Sequence, residues 1–383
     1  MNIGIDQISF YIPKYYLDLA ILAERNHVDV NKYYKGIGQE KMSIPPHDED
    51  IVTLAANAAY PIIQKNGASD IDTILFATES SIDQSKAAAI YIHHLLNLPQ
   101  NCRCVELKQA CYSATAALQL ACAYIALHPQ KKVLLIASDI SRYDLDSVAE
   151  VTQGCGAVAM LISHHPRIMK IDNMTGKYTE DVMDFWRPNY RKTALVDGKF
   201  STQMYLKALE GAWSDYQAQE GRAYDEFAHF CYHLPFSKMG IKAHQYLTRL
   251  NKQTMQAEHI DAAMIYNRII GNSYSAALYL GLASLLDHRN DLEEQAVAMF
   301  SYGSGCVGEF FSGIIQTNYQ QYLYTTEHQR LLAKRQALDY ETYLEFWHYP
   351  EPTDGQTITI DQHNHSTFRL ASISNHQRHY ART

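Results

Sequence analysis

Apolar and polar residues follow one another along the chain in segments that fit strands and helices in turn. Short apolar runs bounded by polar or turn residues predict buried strands at residues 3–11, 71–80, 131–138 and 156–163. Apolar residues at three- and four-residue spacing predict helices at residues 51–65 and 86–96. Strands that alternate with helices indicate a layered α/β fold. A more polar and aromatic part follows, and we expect it to cover a site, at residues 168–224.

One stretch, RCVELKQACYSATAALQLACAYIALH at residues 103–128, joins a short predicted strand to a long, almost uncharged helix. The helical spacing begins at Cys111, which predicts that this cysteine lies on the first turn of the helix. The positive end of the helix dipole favours a thiolate there, and unpaired backbone N–H groups can bind an oxyanion. Cys111 is therefore a candidate nucleophile for acyl transfer. The alternative is a small apolar residue, as most cysteines are.

The two halves of the chain carry similar motifs in the same order, which indicates an internal repeat. We predict a duplicated α/β unit with halves at residues 1–165 and 166–383, and with the two matching helices packed in the core. In this alignment Cys111 lies opposite Gly271, so only the first half carries the nucleophile. The matching pairs are TAALQL at 115–120 with SAALYL at 275–280, GCGAVAML at 154–161 with GSGCVGEF at 303–310, and, more weakly, SDIDTILFATES at 69–80 with AYDEFAHFCYHL at 223–234.

The composition is that of a folded protein with a sizeable core, since 47% of the 383 residues are hydrophobic and 19% are charged. A formal net charge of −8 without a run of lysine or arginine argues against nucleic-acid or membrane-surface binding. The seven cysteines are scattered and form no CxxC pair, which fits a reducing compartment. The N-terminal segment has no signal-peptide pattern, so we expect a cytoplasmic location. The histidine pairs lack a third ligand at useful spacing, so no metal is expected.

Several long motifs resemble one family over nearly the whole chain. Together they are similar to the thiolase-like superfamily and, within it, to the bacterial type of 3-hydroxy-3-methylglutaryl-CoA (HMG-CoA) synthase. The motifs are QACYSATAALQLA around Cys111, FATESSIDQSK around Glu79, YHLPFSKMGIKAH around His233, TQGCGAVAMLIS, DFWRPNY with VDGKFS, RIIGNSYSAALYLGLASLL, FSYGSGCVGEFFSG, and the terminal FRLASISNHQRHY, which resembles the last strand of that family.

The resemblance implies a fold and a reaction. The fold would be a duplicated thiolase-like fold with layers in the order α-β-α-β-α and two core helices. The reaction would condense acetyl-CoA with acetoacetyl-CoA and water to give HMG-CoA and CoA, in the mevalonate route to isoprenoids. The resemblance implies no metal or redox cofactor, and a homodimer is expected by analogy alone.

Three residues would carry the chemistry that the resemblance implies. Cys111 would take the acetyl group as a thioester. Glu79 ends a buried strand, where desolvation raises the pKa of a carboxyl group, and would remove the methyl proton of that acetyl group. His233 lies between an apolar strand and Pro235, and would pass a proton to the C3 oxygen of acetoacetyl-CoA and to departing CoA. Without the family, Glu79 would more readily be interpreted as a helix cap or an ion-pair partner.

The remaining candidates would hold the substrates. Lys238 and Lys242 share one helix face at i, i+4 spacing and would bind CoA phosphates, although a solvated helix face is the alternative. Asn272 would donate its amide to a thioester or keto oxygen. The backbone N–H of Ser304 would share an oxyanion hole with that of Cys111. The other candidates, chosen because family members contact substrate at these positions or because they can line an acyl pocket, are Asp29, Tyr143, Thr152, Phe185 and Ser201.

Other functions compete with this interpretation. A β-ketoacyl-acyl-carrier-protein synthase III would use Cys111, His233 and Asn272 but, because it decarboxylates its substrate, would need no base at Glu79. A biosynthetic thiolase would need a second catalytic cysteine; Cys306 lies in a glycine-rich loop, but the surrounding motif does not match. An inactive acyl-CoA-binding scaffold would have lost part of the catalytic set, whereas all three catalytic positions are filled.

Overall fold

The computed structural model describes residues 2–348 and 351–383, and the apolar runs of the sequence form strands of its largest sheet. Residues of β1 are buried on both faces, which requires a layer of helices on each side of the sheet. The strands of the described chain are β1 (Ile3–Tyr11), β2 (Tyr15–Asp18), β3 (Lys41–Ile44), β4 (Ile71–Ala77), β5 (Arg103–Leu107), β6 (Lys132–Ile140), β7 (Cys155–His164), β8 (Met169–Thr179), β9 (Phe185–Trp186), β10 (Leu195–Val196), β11 (Phe227–Tyr232), β12 (Ala296–Gly303), β13 (Val307–Ile315), β14 (Gln336–Ala337), β15 (Ile358–Thr359), β16 (Phe368–Ser374) and β17 (Gln377–Arg382).

The helices begin and end where capping and periodicity allow. The Asp50 carboxylate, for example, accepts hydrogen bonds from the N–H groups of Val52 and Thr53 at the start of α2. The helices of the described chain are α1 (Leu19–Arg25), α2 (Ile51–Asn66), α3 (Ala88–Leu95), α4 (Ser113–Leu127), α5 (Gly198–Ala218), α6 (Ser237–Leu250), α7 (Asp261–Ile270), α8 (Ala277–His288), α9 (Thr325–Ala333) and α10 (Tyr340–Trp347), with a π-helix at Lys32–Ile37.

Nine strands form one sheet whose two ends repeat the same pattern. Their order is β11-β12-β13-β8-β1-β7-β6-β4-β5, and β8 and β1 meet in the middle as an antiparallel pair. Outward from β1, the pairs β1–β7 and β7–β6 are antiparallel and the pair β6–β4 is parallel. Outward from β8, the pairs β8–β13 and β13–β12 are likewise antiparallel and the pair β12–β11 is parallel. The three motif pairs of the sequence therefore occupy equivalent elements of the two halves. The boundary at residues 165 and 166 itself stays a prediction.

Successive residues of the inner strands face different cores, as the period of a strand requires. Leu135 on β6 packs with α4 and α8, whereas Ile136 packs with α2 and α3. On β12, Met299 faces the same core as Leu135, and Phe300 faces α5 and α6. The layers thus run α2 and α3, sheet, α4 and α8, sheet, α5 and α6. The predicted α-β-α-β-α fold is confirmed.

The two matching helices meet in the central layer, as the repeat predicted. Thr115 Oγ1 on α4 and Tyr279 Oη on α8 lie 2.8 Å apart in a buried hydrogen bond. Within the part of the chain that the structure describes, one stretch, Ala110–Leu127, is long and apolar enough to cross a bilayer, and it consists of α4 and the three residues before it. Here it is a core helix that contributes Ala114, Leu118 and Ile125 to the central layer.

The structure corrects two of the sequence predictions. Residues 368–380, expected to form one last strand, are the hairpin β16–β17 with a turn at Asn375 and His376, both at positive φ. Helix α4 begins at Ser113, so Cys111 precedes the helix rather than lying on its first turn. The strands predicted at residues 3–11, 71–80, 131–138 and 156–163 are present with small changes at their ends.

Candidate active site

Cys111 lies in the short loop between β5 and α4, and its thiol contacts a carboxylate. The residue before it, Ala110, has a φ of 45°, a left-handed conformation that turns the chain sharply ahead of the helix. Cys111 Sγ donates a hydrogen bond to Glu79 Oε1 at 3.0 Å. Glu79 lies just beyond the end of β4 and is buried. Two residues that lie 32 positions apart in the chain are therefore in direct contact.

Burial controls the protonation of this pair. It raises the pKa of Glu79 to about 8, and the charge of Asp139 adds to that effect. It also raises the pKa of the Cys111 thiol well above its usual value, with the Glu79 charge as the second cause. The expectation that the helix dipole makes Cys111 a thiolate is therefore wrong for the free protein. Desolvation and a neighbouring anion outweigh the dipole.

Asp139, which the sequence analysis did not single out, holds the Glu79 loop in place. Its buried carboxylate accepts hydrogen bonds from the backbone N–H groups of Glu79 and Ser80, both at 2.9 Å, and from Thr78 Oγ1 at 2.7 Å. The other oxygen accepts the N–H of Ser275 at 3.0 Å. Asp139 thus ties the loop of the candidate base to the loop before α8. In the sequence, Asp139 could have been noticed as an acidic residue near the end of an otherwise apolar strand.

Three aromatic rings pack beside the nucleophile. Tyr143, Phe185 and Tyr274 form a small cluster against which Cys111 packs. The ring centroids of Tyr143 and Phe185 are 6.2 Å apart, and those of Phe185 and Tyr274 are 5.8 Å apart, both in edge-on geometry. Tyr143 and Phe185, predicted to line an acyl pocket, are therefore next to Cys111. Tyr274 was not predicted.

His233 follows directly after β11 and is held by its backbone. Its N–H donates to Phe300 O, and its carbonyl accepts a hydrogen bond from Tyr205 Oη, each at 2.8 Å. The ring is buried, and Nδ1 has no hydrogen-bond partner among the described residues. Burial lowers the pKa of His233 to about 3, so the imidazole is neutral and offers one N–H donor. The proton-donor role expected from the sequence would need a protonated ring.

Asn272 and Thr152 meet where two loops approach closely. The N–H of Asn272 donates to Thr152 O at 3.2 Å, and Asn272 Oδ1 accepts the N–H of Tyr274 at 2.9 Å. The carbonyl oxygen of the side chain is thus occupied, and its NH₂ group is the part left for a substrate oxygen. A Cβ on Gly271, at φ 89°, would lie 2.1 Å from Gln153 O, so this approach requires glycine. Thr152 contacts the Asn272 loop through its backbone carbonyl, and its hydroxyl donates to Ala149 O instead.

Asp184, also missed from the sequence, organises the turn that contains Ser304. Its buried carboxylate accepts hydrogen bonds from Tyr302 Oη at 2.7 Å, from the Gly305 N–H at 2.9 Å and from Ser201 Oγ at 3.0 Å. Ser201, predicted to contact substrate, thus binds a carboxylate of the protein. On the opposite side, Gln109 Nε2 donates to Ser304 O at 3.1 Å and joins this turn to the Cys111 loop.

We expect Asp184→Asn to lower the free energy of unfolding by about 1–3 kcal/mol, because one buried donor loses its acceptor. The change should also slow acylation of Cys111, because the Ser304 turn moves. Tyr302→Phe removes one donor and leaves the carboxylate, so its effect should be smaller. Chemical denaturation and acetyl-CoA labelling of the two variants test this. Equal stability and equal labelling of Asp184→Asn and the unchanged protein would contradict it.

The predicted CoA-binding residues lie on the outer side of the second half. Lys238 and Lys242 are on α6, and Lys242 Nζ is 5.6 Å from the ring centroid of Phe236. The π-helix packs against the start of α6, where Gly38 approaches the Lys238 backbone. Asp29 is exposed and accepts the N–H of Asn31 at 2.8 Å, so it stabilises a turn before the π-helix. The binding roles of these residues stay predictions.

Glu79 also lines a groove of about 1210 Å³. Glu79, Arg142, Arg187 and Lys108 are among the residues that line it. The guanidinium of Arg187 partly opposes the rise in the pKa of Glu79. Among the described residues, no group of three or more His, Cys, Asp and Glu side chains is placed to hold a metal ion. The absence of a cofactor remains a prediction.

A duplicated α-β-α-β-α fold, with a candidate nucleophilic cysteine ahead of one core helix, is typical of acyl-transferring enzymes of the thiolase-like class. Models of the N-terminal and C-terminal domains of hydroxymethylglutaryl-coenzyme A synthase match residues 1–166 and residues 169–253 and 244–382. The chain belongs to the hydroxymethylglutaryl-CoA synthase family.

Individual proteins agree with this assignment. The chain is 41% identical to the hydroxymethylglutaryl-CoA synthase of Enterococcus faecalis, over 99% of this chain and 100% of that protein. It is 35% identical to a polyketide-biosynthesis 3-hydroxy-3-methylglutaryl-ACP synthase of Bacillus subtilis, over 90% of this chain and 87% of that protein. A crystal structure of an HMG-CoA synthase complexed with CoA superposes with a TM-score of 0.94 and 39% identity, covering all of both chains.

Proposed function

We propose that this chain condenses acetyl-CoA with acetoacetyl-CoA and water to give HMG-CoA and CoA, in the mevalonate route to isoprenoids. The observation that carries the proposal is the 3.0 Å contact between Cys111 Sγ and Glu79 Oε1. Removal of a methyl proton from an acetyl thioester requires a base beside the sulfur that carries it. A decarboxylating β-ketoacyl synthase forms its carbanion by loss of CO₂ and would have no use for Glu79 in this position.

The first step is acylation of Cys111. The Cys111 thiol gives up its proton and the sulfur attacks the carbonyl carbon of acetyl-CoA, a step that needs the thiolate and the oxyanion donors but no carboxylate base. Backbone N–H groups of Cys111 and Ser304 would bind the oxyanion that forms. CoA then leaves with a proton, and the acetyl group remains on Cys111 beside the aromatic cluster.

The second step forms the carbon–carbon bond. Glu79 removes a proton from the acetyl methyl group, and the resulting carbanion attacks C3 of acetoacetyl-CoA. Negative charge develops on the C3 oxygen, and the neutral imidazole of His233 stabilises it by donating its N–H, as a buried neutral histidine can. The Asn272 amide would bind a neighbouring oxygen. The C3 oxygen takes up a proton and becomes the hydroxyl group of the product, and Glu79 gives up the proton that it removed. Water then adds to the thioester carbonyl, the C–S bond breaks, and the free Cys111 thiol and the carboxyl group of HMG-CoA are formed.

The chemistry predicts how the rate depends on pH. Glu79 acts only as a carboxylate, and burial raises its pKa to about 8. The kcat/KM for condensation should therefore rise with pH through about 8, because the ionised fraction grows as pH exceeds the pKa. A series of initial rates on either side of this value measures the midpoint. A flat profile, or one that falls with rising pH, would argue against Glu79 as the base.

CoA phosphates would be bound by the lysines of α6. Lys242→Ala should raise KM for the CoA substrates roughly two- to fivefold and leave acetyl-Cys111 hydrolysis unchanged, because an exposed charge contributes uniform binding. Lys65→Ala is a matched control. Lys65 lies on α2 rather than α6, is also exposed, and its Nζ is likewise near an aromatic ring, 5.1 Å from the ring centroid of Tyr324. If both variants keep the original KM, Lys242 is a solvated surface charge.

Incubation with acetyl-CoA alone is the direct test of the proposed function. The intact protein should gain the mass of one acetyl group, located on the Cys111 peptide, and subsequent acetoacetyl-CoA should convert it to HMG-CoA. A parallel incubation with acetyl-acyl-carrier-protein tests whether the chain takes its acetyl group from CoA or from acyl carrier protein, the two carriers in the names of its relatives. Decarboxylation of malonyl thioesters without HMG-CoA formation would instead support the β-ketoacyl synthase alternative. A homodimer and a cytoplasmic location stay predictions.

A further inference from the structure

One buried amide side chain joins two loops of the second half. Asn267 lies on the last turn of α7 and is 1% exposed. Its Nδ2 donates to Leu234 O at 3.1 Å and to Gly271 O at 3.3 Å. Its Oδ1 accepts a hydrogen bond from Ser237 Oγ at 2.8 Å. Both N–H groups of the amide and its carbonyl oxygen are thus used within the protein.

The partners of this amide lie next to the candidate residues of the second half. Leu234 follows His233, and Gly271 precedes Asn272. Ser237 is the first residue of α6, the helix that follows the histidine loop. A single side chain on a third element therefore links the backbone beside the histidine to the backbone beside the asparagine. Because all these groups are buried, a lost bond could not be replaced by bulk water.

The internal repeat gives this link a counterpart in the first half. In the alignment of the two halves, Glu79 lies opposite His233, and the strands before them, β4 and β11, occupy equivalent places in the sheet. In the first half the residue after the strand contacts the residue before the core helix directly, because Cys111 Sγ donates to Glu79 Oε1 at 3.0 Å. Among the described residues, His233 and Asn272 share no hydrogen bond, and Asn267 bridges their loops instead.

We propose that Asn267 is a positioning residue for the condensation step, which holds the loops of His233 and Asn272 at the separation that the substrate oxygens require. The inference rests on the proposed function. In that mechanism the His233 N–H stabilises the C3 oxygen while the Asn272 amide binds a neighbouring oxygen, so the two donors must act together. Acylation uses Cys111 and the Ser304 N–H instead, and Asn267 hydrogen-bonds to neither of these residues.

The test measures the two steps separately in two variants. Asn267→Leu keeps most of the side-chain volume without the hydrogen bonds, and Asn267→Ala removes both. Either change leaves two buried carbonyl groups without their donor and lets the two loops move apart. The kcat for condensation should therefore fall about 10- to 100-fold, the effect of a small misplacement of catalytic groups. Acetyl-Cys111 should form from acetyl-CoA alone at the rate of the unchanged protein, so acetyl-enzyme should accumulate during turnover.

Asn57 provides a matched control for a buried amide that joins two segments. Asn57 lies on α2, its Nδ2 donates to Phe368 O at 3.0 Å, and its Oδ1 accepts the Phe368 N–H at 3.1 Å. Neither α2 nor β16 carries a candidate catalytic residue. Asn57→Leu and Asn57→Ala should therefore keep the ratio of condensation to acetylation, even where they lower the stability of the fold. Ser237→Ala, which removes one of the three bonds of Asn267, should lower condensation less than either Asn267 variant.

The results distinguish this inference from the function on which it rests. Absence of HMG-CoA from reactions of the unchanged protein would refute the proposed function and the inference with it. If the unchanged protein makes HMG-CoA, normal condensation in both Asn267 variants would overturn the inference alone. Parallel loss of acetylation and condensation in both variants would also overturn it, because Asn267 would then support the fold as a whole. A change in the ratio of the two steps in the Asn57 variants would have the same consequence.

Discussion

Replacing Cys111 with serine is expected to abolish formation of the acetyl-enzyme and to lower the condensation rate by at least ~10³-fold. The serine hydroxyl would occupy the position of a thiol that already donates to Glu79 at 3.0 Å. An alcohol is a far weaker acid than a thiol, and Glu79, with a pKa of about 8, is too weak a base to ionise it.

The measurement is labelling with acetyl-CoA followed by mass analysis of the peptides. Cys122→Ser is the matched control, because Cys122 lies on the helix that follows Cys111 and takes no part in the proposed reaction. Control and unchanged protein should be labelled alike. Acetyl groups on Cys231 or Cys306 in the Cys111→Ser variant would show that the nucleophile was assigned wrongly, even though both thiols are buried.

Replacing Glu79 with glutamine should separate the two steps of the reaction. The amide cannot accept the methyl proton, so condensation should fall by at least ~10²-fold. Acylation should persist, because removal of the Glu79 charge also removes one cause of the raised pKa of Cys111 and makes the thiol easier to ionise. The variant should therefore accumulate acetyl-Cys111 without forming HMG-CoA.

Glu49→Gln is a matched control for this experiment. Glu49 is buried, its pKa is raised to about 8 by burial, and it lines the same groove, but its carboxyl group binds Tyr11 rather than the nucleophile. The Glu49→Gln variant should therefore acylate Cys111 and condense the two substrates at the unchanged rates. Condensation at a near-normal rate in Glu79→Gln would refute the mechanism, whereas equal losses in both variants would indicate a general effect of removing a buried carboxyl group.

Much of the fold could be predicted from the chain. The strand at Ile3–Tyr11 and the helix that starts at Ile51 follow from local apolar periodicity and capping, which neighbours in the sequence determine. The repeated motifs indicated the two halves because duplicated elements keep the same small and apolar positions wherever they pack alike. Motifs around Cys111, Glu79 and His233 identified the family and with it the reaction.

What the sequence could not determine depends on which distant groups become neighbours. The position of Cys111 ahead of α4, its contact with Glu79 and the neutral state of His233 follow from tertiary packing. A pKa depends on desolvation and on charges within a few ångströms, and neither is encoded in local spacing. Asp139 and Asp184 look like ordinary acidic residues until the fold gathers donors from several loops around each carboxylate. The sequence by itself thus determined the elements and the chemical class, and the tertiary structure decided the protonation states and the anchoring carboxylates of the site.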